Sequence, residues 1–381
     1  MFGFVYSYAT LYSEDSHNKE TFAYRLNGFA KKPTDRYLRP FFRGANRFIN
    51  ELLSHSPRCV HQLELRFLKR FMKNYQDMPT FSLFVMNAGH DIYSNFKLFN
   101  DDLVDYNKFL QDTGIRDNTI SVVLGDHGAR SSKYRATMVG KLEERLPFMA
   151  FSFPPWFKTK FPNEFRNFQQ NSNILTAHFD VYATLKHLFK FDQRYENNHK
   201  WGKSLFSDIA PLNRSCTDAG VKEHWCPCID YESVDIKSNI TSRVSSQLLK
   251  VINQKLKDNE LSNQLCETVE LSKIIRTQKV KTNAKVQQFS GSFRKGCDGC
   301  GIKLNREKKF TSDSYEIVVE TKHGSALFEA TLVVDRSNEA ITINGDISRI
   351  NMYGSQPNCI AKKAPHLRKF CYCKEQQSTA L

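Results

Sequence analysis

The chain has 381 residues, long enough for one large domain or for a large and a small one. Its hydrophobic fraction of 40% and charged fraction of 25% exclude wholesale disorder. The net charge of +15 favours polyanions such as acidic glycans, phospholipid headgroups or nucleic acid. Lysine and arginine are spread along the chain, however. No arginine-rich arm, helix-turn-helix or aromatic RNA-binding motif is present, so the expectation is no nucleic-acid partner. No run of 18 apolar residues occurs, which predicts no transmembrane segment. The opening Met1–Tyr8 has neither the basic start nor the long apolar core of a signal peptide.

In chain order, residues 2–12 predict a strand ending near Glu14-Asp15, and residues 31–43 form a basic, proline-punctuated loop. Val60, Leu63, Leu65, Phe67, Leu68 and Phe71 recur at roughly helical spacing and predict an amphipathic helix over 57–75. Phe81–Met86 predicts a buried strand that ends in Asn87-Ala88-Gly89-His90-Asp91. Residues 99–114 predict a helix with Phe99, Leu103, Tyr106 and Leu110 on one face and Gly114 closing it.

The strand that follows ends abruptly: Ser121-Val122-Val123-Leu124 runs into Gly125-Asp126-His127-Gly128. An adjacent carboxylate and imidazole can both ligate a divalent metal, although Asp126 capping a turn with His127 at the surface is the plainer alternative. Strand, helix and strand here predict a right-handed βαβ unit with parallel strands. His90 and the Asp126-His127 pair are then expected at the carboxyl ends of strands in one sheet, where open α/β folds bind ligands. Pro147–Phe153 predicts another strand. Asp180 is expected to cap a helix over 181–189, with His178 just before it.

After about residue 195 the composition turns polar and rich in cysteine. A helix is expected over 242–258, then three strands at 314–321, 326–334 and 339–349, with Asp335–Asn338 as a hairpin turn. The fold class expected is α/β with a mostly parallel sheet flanked by helices, followed by a smaller cysteine-rich α+β region. The domains are 1–195 and 196–381.

Nine of the ten cysteines fall in that second part: Cys216, Cys226, Cys228, Cys266, Cys297, Cys300, Cys359, Cys371 and Cys373. Cys297-Asp-Gly-Cys300 has the spacing of a zinc-ligand pair. Cys226-Pro-Cys228 and Cys371-Tyr-Cys373 leave one residue between sulfurs, which suits zinc less well. Glycosylation sequons begin at Asn213 and Asn239. Disulfides of a secretory-pathway lumen or an extracellular protein are the favoured expectation.

The combined motifs resemble the alkaline phosphatase-like superfamily, and within it an uncharacterised sulfatase-like family expanded in invertebrates. They are Tyr24–Phe29, Pro33-Thr34-Asp35, Arg39-Pro40-Phe41, Gly89-His90-Asp91, the Gly-Asp-His-Gly turn, His178–Leu185, Cys216 to Cys228 with His224-Trp225, and Leu367–Cys373. The resemblance implies that Asp126 and His127 hold a divalent metal, zinc or calcium. It implies that His90 faces the anionic group of a phosphate or sulfate ester, such as that of a glycan or lipid headgroup. Arg130 and His178 are further substrate-binding candidates. The resemblance also implies a preceding strand with another metal-ligand aspartate and a nucleophile, and the chain is expected to begin downstream of it, so no nucleophile can be named. Glu14-Asp15 stands where sulfatases carry a Lys…His signature. The alternative expectation is a non-catalytic luminal or extracellular protein that binds acidic glycans.

Overall fold

The computed structural model describes residues 8–16, 21–24, 26–44, 58–87, 100–130, 133–189, 191, 199–209, 214–282 and 312–374. His90, Asn213, Cys297 and Cys300 lie outside the described residues. The chain groups into two compact units, Met1–Val123 with Ala150–Lys160, and Leu124–Met149 with Phe161–Leu381. This is not a cut at one position, since residues 124–149 leave the first unit and join the long C-terminal part.

In the first unit, β1 (Ala9–Glu14) lies between β2 (Arg36–Tyr37) and β3 (Thr80–Val85), and both pairings are parallel. The helix Arg58–Asn74 packs Leu68, Phe71 and Met72 with Ala9, Leu11 and Leu110 into one small core. The helix Asn100–Asp112 supplies Leu110, and Gly114 follows it at φ +69°, a left-handed position that glycine reaches without a Cβ clash. At the carboxyl edge of the sheet, Glu14 is buried. It accepts bonds from Tyr12 Oη at 2.7 Å, Thr21 N at 2.8 Å and Asn87 Nδ2 at 3.1 Å, so it ties down the ends of β1 and β3.

β4 (Ser121–Leu124) pairs with β5 (Met149–Ser152) in a separate two-stranded sheet. The expectation that β3 and β4 share one sheet is therefore not met among the described residues. β3 pairs with β1, and the backbone after β4 continues the other pairing, with Gly125 N donating to Phe148 O at 2.9 Å. The hydrophobic run gave the strands correctly; ladder partners are a long-range choice that the run does not encode.

In the second unit, β6 (Ile229–Ser233), β7 (Leu271–Thr282), β8 (Ser312–Thr321), β9 (Leu327–Asp335) and β10 (Ile341–Arg349) form an antiparallel sheet in the order β10-β9-β8-β7-β6. It has five strands where three were expected. One face is the core of the unit: Val244, Leu248, Ile252 and Leu256, four residues apart along the helix Asn239–Lys257, meet Ile317, Val319, Phe328, Ala330 and Leu332. Ser238 caps that helix by accepting from Thr241 N, and Asn239 is its exposed first residue. The alternate positions, Glu316, Glu329 and Thr331, are buried as well. Burial on both faces explains why β9 lacks a clean apolar–polar alternation.

Disulfides join Cys266 to Cys371, Cys359 to Cys373 and Cys216 to Cys226. The first staples the C-terminal segment to the end of the helix Glu260–Leu265, where Cys266 also bridges Cys373 through the backbone, and the second closes a loop within that segment. Cys228 keeps a free, exposed thiol, which departs from the expectation that it too is paired. The Sγ atoms of Cys216, Cys226 and Cys228 lie within 4.8 Å of one another, yet two of them are already oxidised and offer no thiolate to a metal.

Candidate functional site

The site lies where β4 ends. Gly125 N is bonded to Phe148 O, so the chain is still laddered one residue beyond the strand, and Asp126 is the first residue free to leave it. The Asp126 side chain is 85% exposed and that of His127 is 29% exposed, so the pair stands at the surface with the ring partly supported. His127 N donates to Asp126 Oδ1 at 2.9 Å, which turns the carboxylate toward the imidazole. His127 Nδ1 lies 2.7 Å from Gly128 O. A carbonyl oxygen can only accept, so in the neutral ring Nδ1 carries the proton and Nε2 keeps its lone pair.

That lone pair and Asp126 Oδ2 are 3.4 Å apart. Two vertices of a tetrahedron with zinc-type bonds are separated by about 3.4 Å, so the two donors stand where one ion can meet both. The backbone carbonyl behind Nδ1 is the outer-shell partner that ligating histidines commonly have. The residues present fit a divalent metal in donor type, tautomer and spacing. Without a metal the same two atoms form an ion pair whenever the ring is protonated.

The structure brings His178 to the same turn: its exposed ring places Nε2 3.4 Å from Gly125 O. His178 is the first residue of the helix His178–Leu188, whose N-cap is Ala177. Asp180 is thus the third helical residue rather than the cap. Its buried carboxylate accepts from Ala177 N at 2.7 Å and from Lys203 N at 2.7 Å, and pairs with Arg214 through two bonds of 2.8 and 2.9 Å. An N3 carboxylate reaching back to the cap amide stabilises the helix start as well as a capping side chain does. Arg130 is exposed two residues beyond Gly128.

Behind the turn lies a feature with no sequence forewarning. Gly128 N donates to Glu144 O at 3.0 Å, at the end of the helix Met138–Arg145, and a Cβ on Gly128 would lie 2.1 Å from Glu143 O. That helix and the turn before it carry three basic side chains into the sheet, and β7 adds Arg276. Arg135 bonds Glu144 and both oxygens of Glu329, and Arg145 bonds Glu329 at 2.9 Å. Lys141 bonds Glu316 and Tyr231 Oη, and Arg276 reaches Glu316 at 3.2 Å and Glu329 at 3.4 Å. Burial opposes the charge on Glu329, but Arg135, Arg145 and Lys141 hold its carboxyl at about 2. Burial lowers the Lys141 ammonium to about 8 against the attraction of Glu316.

A mixed α/β protein, with a carboxylate–imidazole pair at a strand tip and a disulfide-tied antiparallel sheet, is the class that these features define. Residues 5–275 match the family described as "Protein of unknown function (DUF229)", and the chain belongs to that family. No curated protein and no solved structure matches it.

Proposed function

We propose that the chain is a sulfatase-like protein of alkaline phosphatase-like ancestry, acting on phosphate or sulfate esters through a divalent metal held by Asp126 and His127. The observation that carries this reading is the 3.4 Å between His127 Nε2 and Asp126 Oδ2, with Nδ1 committed to Gly128 O. An imidazole in the donor set favours zinc over calcium, which prefers an all-oxygen shell. The metal, when bound, supplies a Lewis acid for charge on the ester oxygens. The chain's own residues do the rest: Asp126 and His127 bind, the Gly128 carbonyl fixes the tautomer, and Arg130 and His178 extend the polar surface for an anionic ester. The nucleophile is unassigned.

Among the described residues three disulfides fit an oxidising compartment, extracellular or luminal, and no helix is long and apolar enough to cross a membrane. The net charge of +15 favours a second reading, a non-catalytic binder of acidic glycans. Metal analysis of the purified protein, with turnover of aryl phosphate and aryl sulfate esters, separates the two. Bound zinc with turnover supports the first. No metal, no turnover after zinc is added, and salt-sensitive retention on a sulfated glycan support the second.

A further inference from the structure

The helix Met138–Arg145 is fastened to the sheet along its whole length. Before its start, Ala136 O accepts from Arg276 Nη1 at 2.5 Å. In its middle, Lys141 meets Glu316, and at its end Glu144 and Arg145 join Arg135 around Glu329. Arg135, Lys141, Glu316 and Glu329 are each no more than 1% exposed. Such an arrangement is a poor source of stability, because desolvation offsets most of the attraction between buried charges. The opposite face of the sheet, with Leu248, Ile252 and Phe328, already carries an apolar core.

What the charged face adds is position. Each guanidinium and carboxylate pairs in one geometry, so the helix has one height and one rotation on β8 and β9. Gly128 needs that height, since its amide takes the Glu144 carbonyl and its α-carbon leaves no room for a Cβ beside Glu143. Glu316 and Glu329 lie beyond residues 5–275, the part that matches the family.

We propose that the five-stranded sheet is a positioning scaffold for the Asp126-His127 turn, acting through Glu329, Arg135 and Glu144 on the Gly128 amide. Glu329 and Arg135 are positioning residues: they touch neither donor, and they set where the turn stands. The scaffold rests on the metal reading only in what it serves, so its test begins with a readout that needs no metal.

Amide hydrogen exchange in the full chain reports the Gly128 N–H directly. In Glu329→Gln this amide is expected to exchange at least tenfold faster than in the parent, and to be accelerated by a larger factor than the amides of Asn239–Lys257. Ile252→Ala, on the apolar face, destabilises the same unit and is expected to leave Gly128 protected. Parent-like Gly128 exchange in Glu329→Gln, or equal loss of protection in both variants, overturns the proposal. Should Glu329→Gln fail to fold, Glu144→Gln removes one of the two carboxylates that Arg135 meets and leaves Glu329 in place, and the same outcomes apply to it. Titration with Co2+, followed by its ligand-field absorption, then joins scaffold to site: affinity is expected to fall at least tenfold in the scaffold variant. A parent that binds no Co2+ sinks the metal reading and leaves the exchange result standing, whereas equal Co2+ affinity in parent and variant overturns the scaffold.

Discussion

Arg135 forks onto both carboxylate oxygens of Glu329, 194 positions later in the chain, at 3.1 and 2.9 Å. Both side chains are fully buried, and a third group, Glu144, shares the same guanidinium. Removing the guanidinium leaves two buried carboxylates short of counter-charge. Arg135→Met is therefore expected to destabilise the protein by ~3 kcal/mol, because the loss of one partner leaves the desolvation of the others uncompensated. The urea midpoint measures this, and a midpoint equal to that of the parent would show that the network carries no such burden.

His224 makes the second unit sensitive to acid. Its ring is 1% exposed, between Thr331 Oγ1 at 3.2 Å and Ser348 Oγ at 3.0 Å. Burial, helped by the charges of Arg145, Lys141 and Arg135 and opposed by that of Glu329, pulls the ring from 6.5 to about 4. The folded protein thus keeps the ring neutral at pH values where the unfolded chain protonates it. The stability from this site is complete above pH 6.5 and is lost as the pH falls toward 4. The displacement corresponds to ~3 kcal/mol. Glu329, held at about 2, continues the loss below its ordinary 4.5. His224→Gln is expected to flatten stability between pH 6.5 and 4.5, measured by urea unfolding across that range. A variant with the parent's slope there would assign the acid sensitivity to another group.

Much of the fold is legible because it is local. The helix Arg58–Asn74 follows from apolar spacing, and the end of Asn100–Asp112 follows from Gly114 in a left-handed conformation. β7 was hidden because Thr277 and Gln278 are buried, Arg276 turns inward to Glu316 and Glu329, and Ile275 is exposed, so Leu271–Thr282 shows no alternation of apolar and polar residues that a strand search recognises. The candidate site is legible by half. Asp126 and His127 announce themselves by residue type, whereas the Gly128 carbonyl that fixes the ring is backbone and leaves no mark in the sequence. The contacts of Arg135 and Lys141 with Glu329 and Glu316 span far more chain than any motif covers.

The three disulfides among the described residues close loops of very different length. Cys266–Cys371 spans 105 residues, against 14 for Cys359–Cys373 and 10 for Cys216–Cys226. If the chief effect is on the entropy of the unfolded chain, the long bridge contributes ~4.7 kcal/mol and the short ones ~3 kcal/mol each. Both sulfurs of the long bridge are buried in the apolar core beside Phe370 and Leu367. Replacing Cys266 and Cys371 together by alanine is expected to lower the melting temperature more than replacing Cys216 and Cys226. Differential scanning calorimetry compares the two, and the reverse order would show that native packing, not loop closure, sets their worth.

Asp126 and Gly128 separate the chemistry of the turn from its support. Asp126 is 85% exposed, so Asp126→Asn is expected to change folding stability by no more than ~0.5 kcal/mol. It removes the anionic oxygen 3.4 Å from His127 Nε2, and zinc affinity is expected to fall by at least ~100-fold, more than the loss of an outer-shell partner costs. Gly128→Ala leaves both donors in the sequence but drives a Cβ against Glu143 O, and is expected to lower stability and affinity together. Competition with a chromophoric chelator gives the affinities, and thermal unfolding gives the stabilities. Zinc bound as tightly by Asp126→Asn as by the parent would move the metal away from this turn. Affinity lost in Gly128→Ala and Asp126→Asn alike, with stability lost only in the former, is the pattern expected of an exposed ligand on a rigidly supported turn.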